Sequence, residues 1–163
     1  MGKTVLVTGA GGFIGSHLTE RLVRDGHDVR ALVRYNGRDD RGHLQRLAPE
    51  VQAAVEVHRG DLKDPEAVRR AVEGRAWVFH LGALIAIPYS YRNPLDVVQT
   101  NVTGTAHVLD ACRASGVLER VVLTSTSEVY GTALYVPIDE RHPLQGQSPY
   151  AATKIGSDAL GES

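Results

Sequence analysis

The β-branched apolar run Lys3-Thr4-Val5-Leu6-Val7-Thr8 passes directly into the glycine-rich stretch Gly9-Ala10-Gly11-Gly12-Phe13-Ile14-Gly15. Beyond it, Ile14, Leu18 and Leu22 recur at helical spacing. A buried strand, a glycine turn and a helix in this order are the context that a dinucleotide-binding fingerprint requires. In such a turn Gly9 permits the tight reversal, Gly12 lets backbone approach a pyrophosphate, and Gly15 lets the helix lie close on its strand. The N–H groups at the helix start, at the positive end of its dipole, then face the phosphates. The spacing is Gly-x-x-Gly-x-x-Gly with Gly11 as an additional glycine; the alternative is a glycine-rich turn without a ligand.

Strand and helix patterns keep alternating. Asp28 to Val33 reads as a second strand, Ala53 to Val57 as a third, Ala76 to Leu81 as a fourth and Arg120 to Thr124 as a fifth. Asp64 and Asn93, each followed by proline, are helix caps. The first helix runs to about Glu73; the second is long, ends at Gly116, and has Leu95, Val98, Val102, Ala106 and Leu109 as its apolar stripe. This alternation predicts an α/β fold, a parallel sheet with helices on both faces. Insertions at 82–92 and 126–147 follow the carboxyl ends of strands four and five, where such folds place their chemistry.

A length of 163 residues suits a single domain, 1–163, and 42% hydrophobic with 23% charged residues is ordinary for a globular protein. A net charge of −1 provides no electrostatic case for nucleic acid or an acidic membrane surface. The single Cys112 excludes an internal disulfide and a cysteine-built metal site, and the seven histidines are scattered without ligand spacing, so no metal is expected. The chain enters a strand at once and has no long apolar run, so a cytoplasmic protein without a membrane span is expected.

Near the other end stands Ser148-Pro149-Tyr150-Ala151-Ala152-Thr153-Lys154. Ser148 reads as a helix cap and Pro149 as the first helical residue. Tyr150 and Lys154, four residues apart, then share one helix face. A cation beside a phenol favours the phenolate, which makes tyrosine usable as a base.

Taken with Thr8-Gly9-x-x-Gly12-Phe13-Ile14-Gly15, Asp61-Leu62, His80-Leu81-Gly82-Ala83, Asn101-Val102-x-Gly104-Thr105 and Thr124-Ser125-Thr126-Ser127-Glu128-Val129-Tyr130-Gly131, this segment resembles the extended short-chain dehydrogenase/reductases, the NAD-dependent epimerase/dehydratase branch. The one departure is Gly82, where the family usually has alanine. The resemblance implies a Rossmann-type doubly wound parallel sheet. Members of the branch run to about twice this length with a small C-terminal substrate domain, so the chain is expected to be a fragment carrying the cofactor half.

The resemblance also implies a site. Gly9, Gly12, Phe13, Ile14, Gly15, Asp61, Leu62, Leu81 and Ala83 would line a tightly bound, recycled dinucleotide, with Tyr150 and Lys154 also reaching it. Asp61 has the alternative of capping a turn. At the end of strand two, Val33-Arg34-Tyr35-Asn36 offers no carboxylate for a ribose, and Arg34 can pair with a 2′-phosphate. NADP is therefore expected, with NAD as the alternative; Arg34 could instead cover the adenine or face solvent. Tyr150 would be the base, Lys154 its cation and Thr126 a hydrogen-bond partner of the same sugar oxygen. Glu128 would be a second base, useful in a 4,6-dehydratase or a decarboxylase; Ser127, Tyr89 and Tyr91 are candidate substrate contacts, although loop aromatics also pack.

The segments 83–91, 34–36 and 137–144 resemble UDP-N-acetylglucosamine 4,6-dehydratases, and the Val33-Arg34 step and Ser127 resemble the GDP-mannose type, so the resemblance implies a 4,6-dehydratase, a lyase. The alternatives are a UDP-glucuronate decarboxylase, a C4 epimerase, or a non-catalytic dinucleotide-binding fragment. A nucleotide-sugar substrate and a homodimer built on a helix bundle complete what the resemblance implies.

Overall fold

The computed structural model describes residues 2–163. They form two compact units, one made of the chain up to Gly82 with His107–Thr124, the other of Ala83–Ala106 with Ser125–Ser163.

The first unit is built on five strands: β1 (Thr4–Thr8), β2 (Asp28–Val33), β3 (Val55–Arg59), β4 (Trp77–His80) and β5 (Arg120–Leu123). They lie in the order β3-β2-β1-β4-β5, every neighbour parallel, with Val5 paired to both Val29 and Trp77. Successive side chains of β1 point to opposite faces, and each face has its own core. Leu6 joins Leu62, Val68 and Val72 with Val108 and Cys112 of α6 (Gly104–Ala114), while Val5 and Val7 join Leu22, Val29 and Leu44. Val5, Leu6 and Val7 are fully buried, as a strand covered on both faces requires.

Helix α1 (Phe13–Arg24) carries one correction. Ile14, expected on the buried stripe, is 66% exposed, and the residues that face the sheet are Gly15, Ser16, Thr19 and Leu22. The helix lies so close to the glycine turn that only small side chains fit beneath it. A second correction concerns β3, which starts at Val55. The preceding residues form an unpredicted helix, α2 (Pro49–Ala54), which opens on proline and absorbs Ala53. Helix α3 (Pro65–Val72) starts where its sequence says: Asp64 accepts hydrogen bonds from Glu66 N and Ala67 N. Its other end is capped from β2, where Arg30 Nη1 donates to Arg70 O, Ala71 O and Glu73 O at 3.0, 2.9 and 3.0 Å. Arg30 Nε also forms an ion pair with Glu56 at 2.9 Å.

The second unit is helical. Residues 87–92, expected as part of an insertion, form α4 (Ile87–Arg92). The long helix expected after Asn93 is realised as α5 (Pro94–Val98), a π-turn over Gln99–Thr103, and the start of α6. Its stripe is also corrected: Leu95 and Val98 are 73% and 42% exposed, whereas Val97 and Asn101 are buried. A 3-10 turn spans Ser127–Tyr130, and α7 (Pro149–Glu162) begins with Ser148 Oγ accepting from Ala151 N, as expected. Between them, buried His142 lies 5.5 Å from the Tyr130 ring and 5.0 Å from the Tyr135 ring. Its Nε2 accepts from Leu134 N, so Nδ1 carries the proton donated to Pro143 O. Among the described residues no helix is long and apolar enough to cross a membrane, and no cluster of potential metal ligands occurs.

Candidate functional site

In the first unit the site begins where β1 runs out. Gly9 has φ +68°, a left-handed conformation, and a side chain there would lie 2.8 Å from Gly82 N. Thr8 Oγ1 meets His80 Nδ1 at 2.7 Å and accepts from Gly82 N at 3.0 Å, which ties the turn to the end of β4. A Cβ on Gly15 would lie 2.2 Å from Gly9 O and 2.9 Å from Ala10 Cα, so α1 can approach only because the residue is glycine. Gly12, the cap of α1, is different: a Cβ there would meet only Gly9 O, at 3.2 Å.

No side chain caps α1 and no acidic residue stands in its first turn. The positive end of the helix dipole, fronted by an open glycine, suits a phosphate. Phe13 and Ile14 are both 66% exposed, Phe13 edge-on to His17 and His43 at 4.9 and 5.9 Å.

Arg34 is the first residue after β2, and its side chain is 71% exposed. Its Nε lies 3.7 Å from Asp61 Oδ2, so a carboxylate missing from the end of β2 reaches this place from the end of β3. Asp61 also shapes its own turn, accepting from Lys63 N at 3.0 Å. Leu62 is buried and Leu81 half-buried. A Cβ on Gly82 would lie 2.9 Å from Leu62 Cδ1, which gives a steric reason for glycine where alanine was expected. The open phosphate-facing helix end and the Arg34–Asp61 pair together fit a dinucleotide.

The second unit holds Tyr150, Lys154, Thr126 and Glu128. Tyr150 and Lys154 are 7% and 8% exposed, one turn apart on α7. Burial pushes the Lys154 ammonium below the usual lysine range, and the Asp158 carboxylate partly offsets that. Thr126 Oγ1 accepts from Glu128 N at 3.3 Å, which leaves the hydroxyl proton to be donated elsewhere. Ser127 and Glu128 are exposed on the 3-10 turn, and Ala83 is half-buried. Tyr89 OH donates to Asp96 Oδ2 at 2.8 Å and Tyr91 OH to Gln147 O at 2.9 Å, so both rings are tied down by their hydroxyls while remaining 38% and 61% exposed.

Asn101, seen in the sequence only as part of a motif, organises this unit. It is 1% exposed inside the π-turn. Its Oδ1 accepts from Leu84 N at 2.8 Å, and its Nδ2 donates to Leu84 O and Thr153 Oγ1, both at 3.0 Å. Thr153 Oγ1 in turn donates to Tyr150 O at 2.7 Å. Ser157 Oγ and Thr105 Oγ1 both donate to Asn101 O. The available signal was an asparagine, a weak helix former, in the middle of a helical stretch.

A parallel sheet of this order with a glycine turn after β1, and a Tyr-x-x-x-Lys pair at the start of a helix, define a dinucleotide-binding protein of the short-chain dehydrogenase/reductase class. A family model described as GDP-mannose 4,6 dehydratase matches residues 6–163, and the chain belongs to this family of NAD-dependent epimerases and dehydratases. UDP-glucose 4-epimerase of Bos taurus is 33% identical over 95% of this chain and 47% of its own length. A 2-alkyl-3-oxoalkanoate reductase of Stenotrophomonas maltophilia is 41% identical over 92% of this chain and 43% of its own.

Among solved structures, UDP-N-acetylglucosamine 4-epimerase from Methanobrevibacter ruminantium, in complex with UDP-N-acetylmuramic acid, matches with a TM-score of 0.87. It is 29% identical, covering 99% of this chain and 50% of that one. UDP-glucose 4-epimerase from Bifidobacterium longum, in complex with NAD+ and UDP, matches at a TM-score of 0.84 and 29% identity over 98% of this chain and 48% of that one. The chain thus spans about half the length of the relatives it matches.

Proposed function

We propose that the protein is an NAD(P)-dependent nucleotide-sugar 4,6-dehydratase, acting on a UDP- or GDP-linked hexose. The observation that carries this reading is Glu128, an exposed carboxylate two residues beyond Thr126 in the unit that holds Tyr150 and Lys154. Gly9, Gly12, Phe13, Ile14, Gly15, Arg34, Asp61, Leu62, Leu81 and Ala83 would hold the dinucleotide. NADP is the form favoured by the exposed Arg34 after β2; NAD is the alternative, and several structural neighbours were solved with it. When bound, the dinucleotide would supply the hydride chemistry at C4 and C6 of the hexose.

The chain's residues move the protons. Tyr150, as phenolate beside the Lys154 ammonium, takes the C4 hydroxyl proton, and Thr126 donates a hydrogen bond to the same oxygen. Oxidation at C4 acidifies the C5 proton, which Glu128 removes. The C6 hydroxyl then leaves as water, its proton supplied by Glu128 or by solvent because Ser127 is too weak an acid, and C5 regains a proton from solvent as hydride returns to C6. A C4 epimerase has no use for a second carboxylate base, whereas a decarboxylase of UDP-glucuronate shares it.

The test is incubation of the purified full-length protein with GDP-mannose, UDP-N-acetylglucosamine, UDP-glucose and UDP-glucuronate, reading products by mass and NMR. A product one water lighter, with solvent deuterium at C5, is expected, and Glu128→Gln should stop water loss. A C4 epimer of unchanged mass, or turnover confined to UDP-glucuronate, would overturn the dehydratase reading.

A further inference from the structure

Helix α7 carries an acidic residue on the face of Tyr150 and Lys154. Asp158 follows Lys154 by four residues, which sets the carboxylate one turn along the same stripe. It is held there from another segment, because Ser125 Oγ donates a hydrogen bond to Asp158 Oδ2. Ser125 immediately precedes Thr126, so this bond fastens the segment bearing Thr126 and Glu128 to the helix bearing Tyr150 and Lys154.

Lys154 is 8% exposed, and burial favours its neutral amine. Around it, α7 itself contributes Tyr150 and Asp158. The elements packed on α7 contribute Tyr89, Tyr91 and Arg92 from α4, Asp96 from α5, and Glu128 and Tyr130 from the 3-10 turn. The Asp158 charge acts on Lys154 against the effect of burial.

We propose that Asp158, anchored by Ser125, is a positioning residue that keeps Lys154 cationic and in line with Tyr150. The inference rests on the roles given above to Tyr150 and Lys154. Asp158→Asn separates charge from geometry, since an amide oxygen accepts the Ser125 hydroxyl as a carboxylate does.

In 13Cε-lysine-labelled full-length protein the Lys154 signal is assigned by its loss in Lys154→Arg. Removing the negative neighbour disfavours the ammonium, so the Lys154 titration midpoint falls by about one pH unit in Asp158→Asn. The alkaline limb of the kcat profile falls with it, and Asp158→Glu restores both. Unmoved Lys3 and Lys63 signals report that the fold is intact. Should Asp158→Asn not fold, Ser125→Ala, which loosens the carboxylate, moves the midpoint in the same direction by less. An unchanged midpoint in the folded variants overturns the proposal. A lowered midpoint in a protein that turns over no nucleotide sugar upholds the coupling and sinks the functional reading instead.

Discussion

Gly12 and Gly15 stand three residues apart in one turn, yet a methyl group added to each should act on different properties. At Gly15 the new Cβ would lie 2.2 Å from Gly9 O and 2.9 Å from Ala10 Cα. Both are backbone atoms, so no rotamer change relieves the clash and α1 must move off the turn. Overpacking of this kind costs about 3 kcal/mol, and the better helix propensity of alanine returns about 1 kcal/mol. The net loss of about 2 kcal/mol lowers the melting temperature of a chain this size by roughly 4–8 °C.

At Gly12, with φ −76° and ψ 174°, alanine is sterically allowed and meets only Gly9 O, at 3.2 Å. A poorer helix cap and a stiffer unfolded chain nearly cancel, to within about 1 kcal/mol. The methyl instead occupies the space a phosphate would enter, and dinucleotide affinity falls by tenfold or more, about 1.4 kcal/mol. Thermal unfolding followed by circular dichroism, with calorimetric titration of NADP and NAD, reads both properties on the same samples. A Gly15→Ala protein that melts with the wild type, or a Gly12→Ala protein that binds dinucleotide with wild-type affinity, would refute the steric argument.

Two further expectations concern stability. Arg30→Met leaves three carbonyls at the end of α3 without their cation, and a side chain only 13% exposed loses its charged hydrogen bonds, so urea denaturation should show a loss of about 2 kcal/mol; a loss confined to the few tenths expected of a surface arginine would contradict the capping role. Burial pushes the Cys112 thiol up to about 11 from an ordinary 9.0. The folded state therefore holds this proton more tightly than the unfolded one, and the contribution to stability is complete below pH 9 and lost as pH rises toward 11. Two units correspond to about 3 kcal/mol at most, so the fall in melting temperature over this range should flatten in Cys112→Ala, and an unchanged slope would assign the alkaline loss to other groups.

How much could be read in advance depended on whether a local or a distant partner decides the conformation. Asp28–Val33 and the starts of α3 and α7 agree with their sequence readings, since a β-branched run or a capping side chain followed by proline carries its own instructions. The stripe on α5 did not: Asn101, inside the π-turn that follows α5, draws its hydrogen bonds from residues 17 and 52 positions away. An apolar pattern cannot register such a residue. Ile14 fails for a related reason: the face of α1 is chosen by the close approach at Gly15, which favours small residues over large ones. In the candidate site, Tyr150, Lys154 and the glycine turn were visible as spacing. The reach of Asp61 to Arg34 and of Ser125 to Asp158 was not, since each joins residues far apart in sequence.

Asn101 meets Leu84 as one residue of a β-ladder meets another, giving one hydrogen and accepting one. A side chain here stands in for main chain, and both of its amide hydrogens are used, since the second goes to Thr153. The genetic alphabet has few letters that can spell such a joint. Aspartate brings no hydrogen to give, leucine neither gives nor accepts, and glutamine carries the same amide one carbon too far. The position behaves as part of the backbone, with the tolerance of a peptide bond and not that of a side chain.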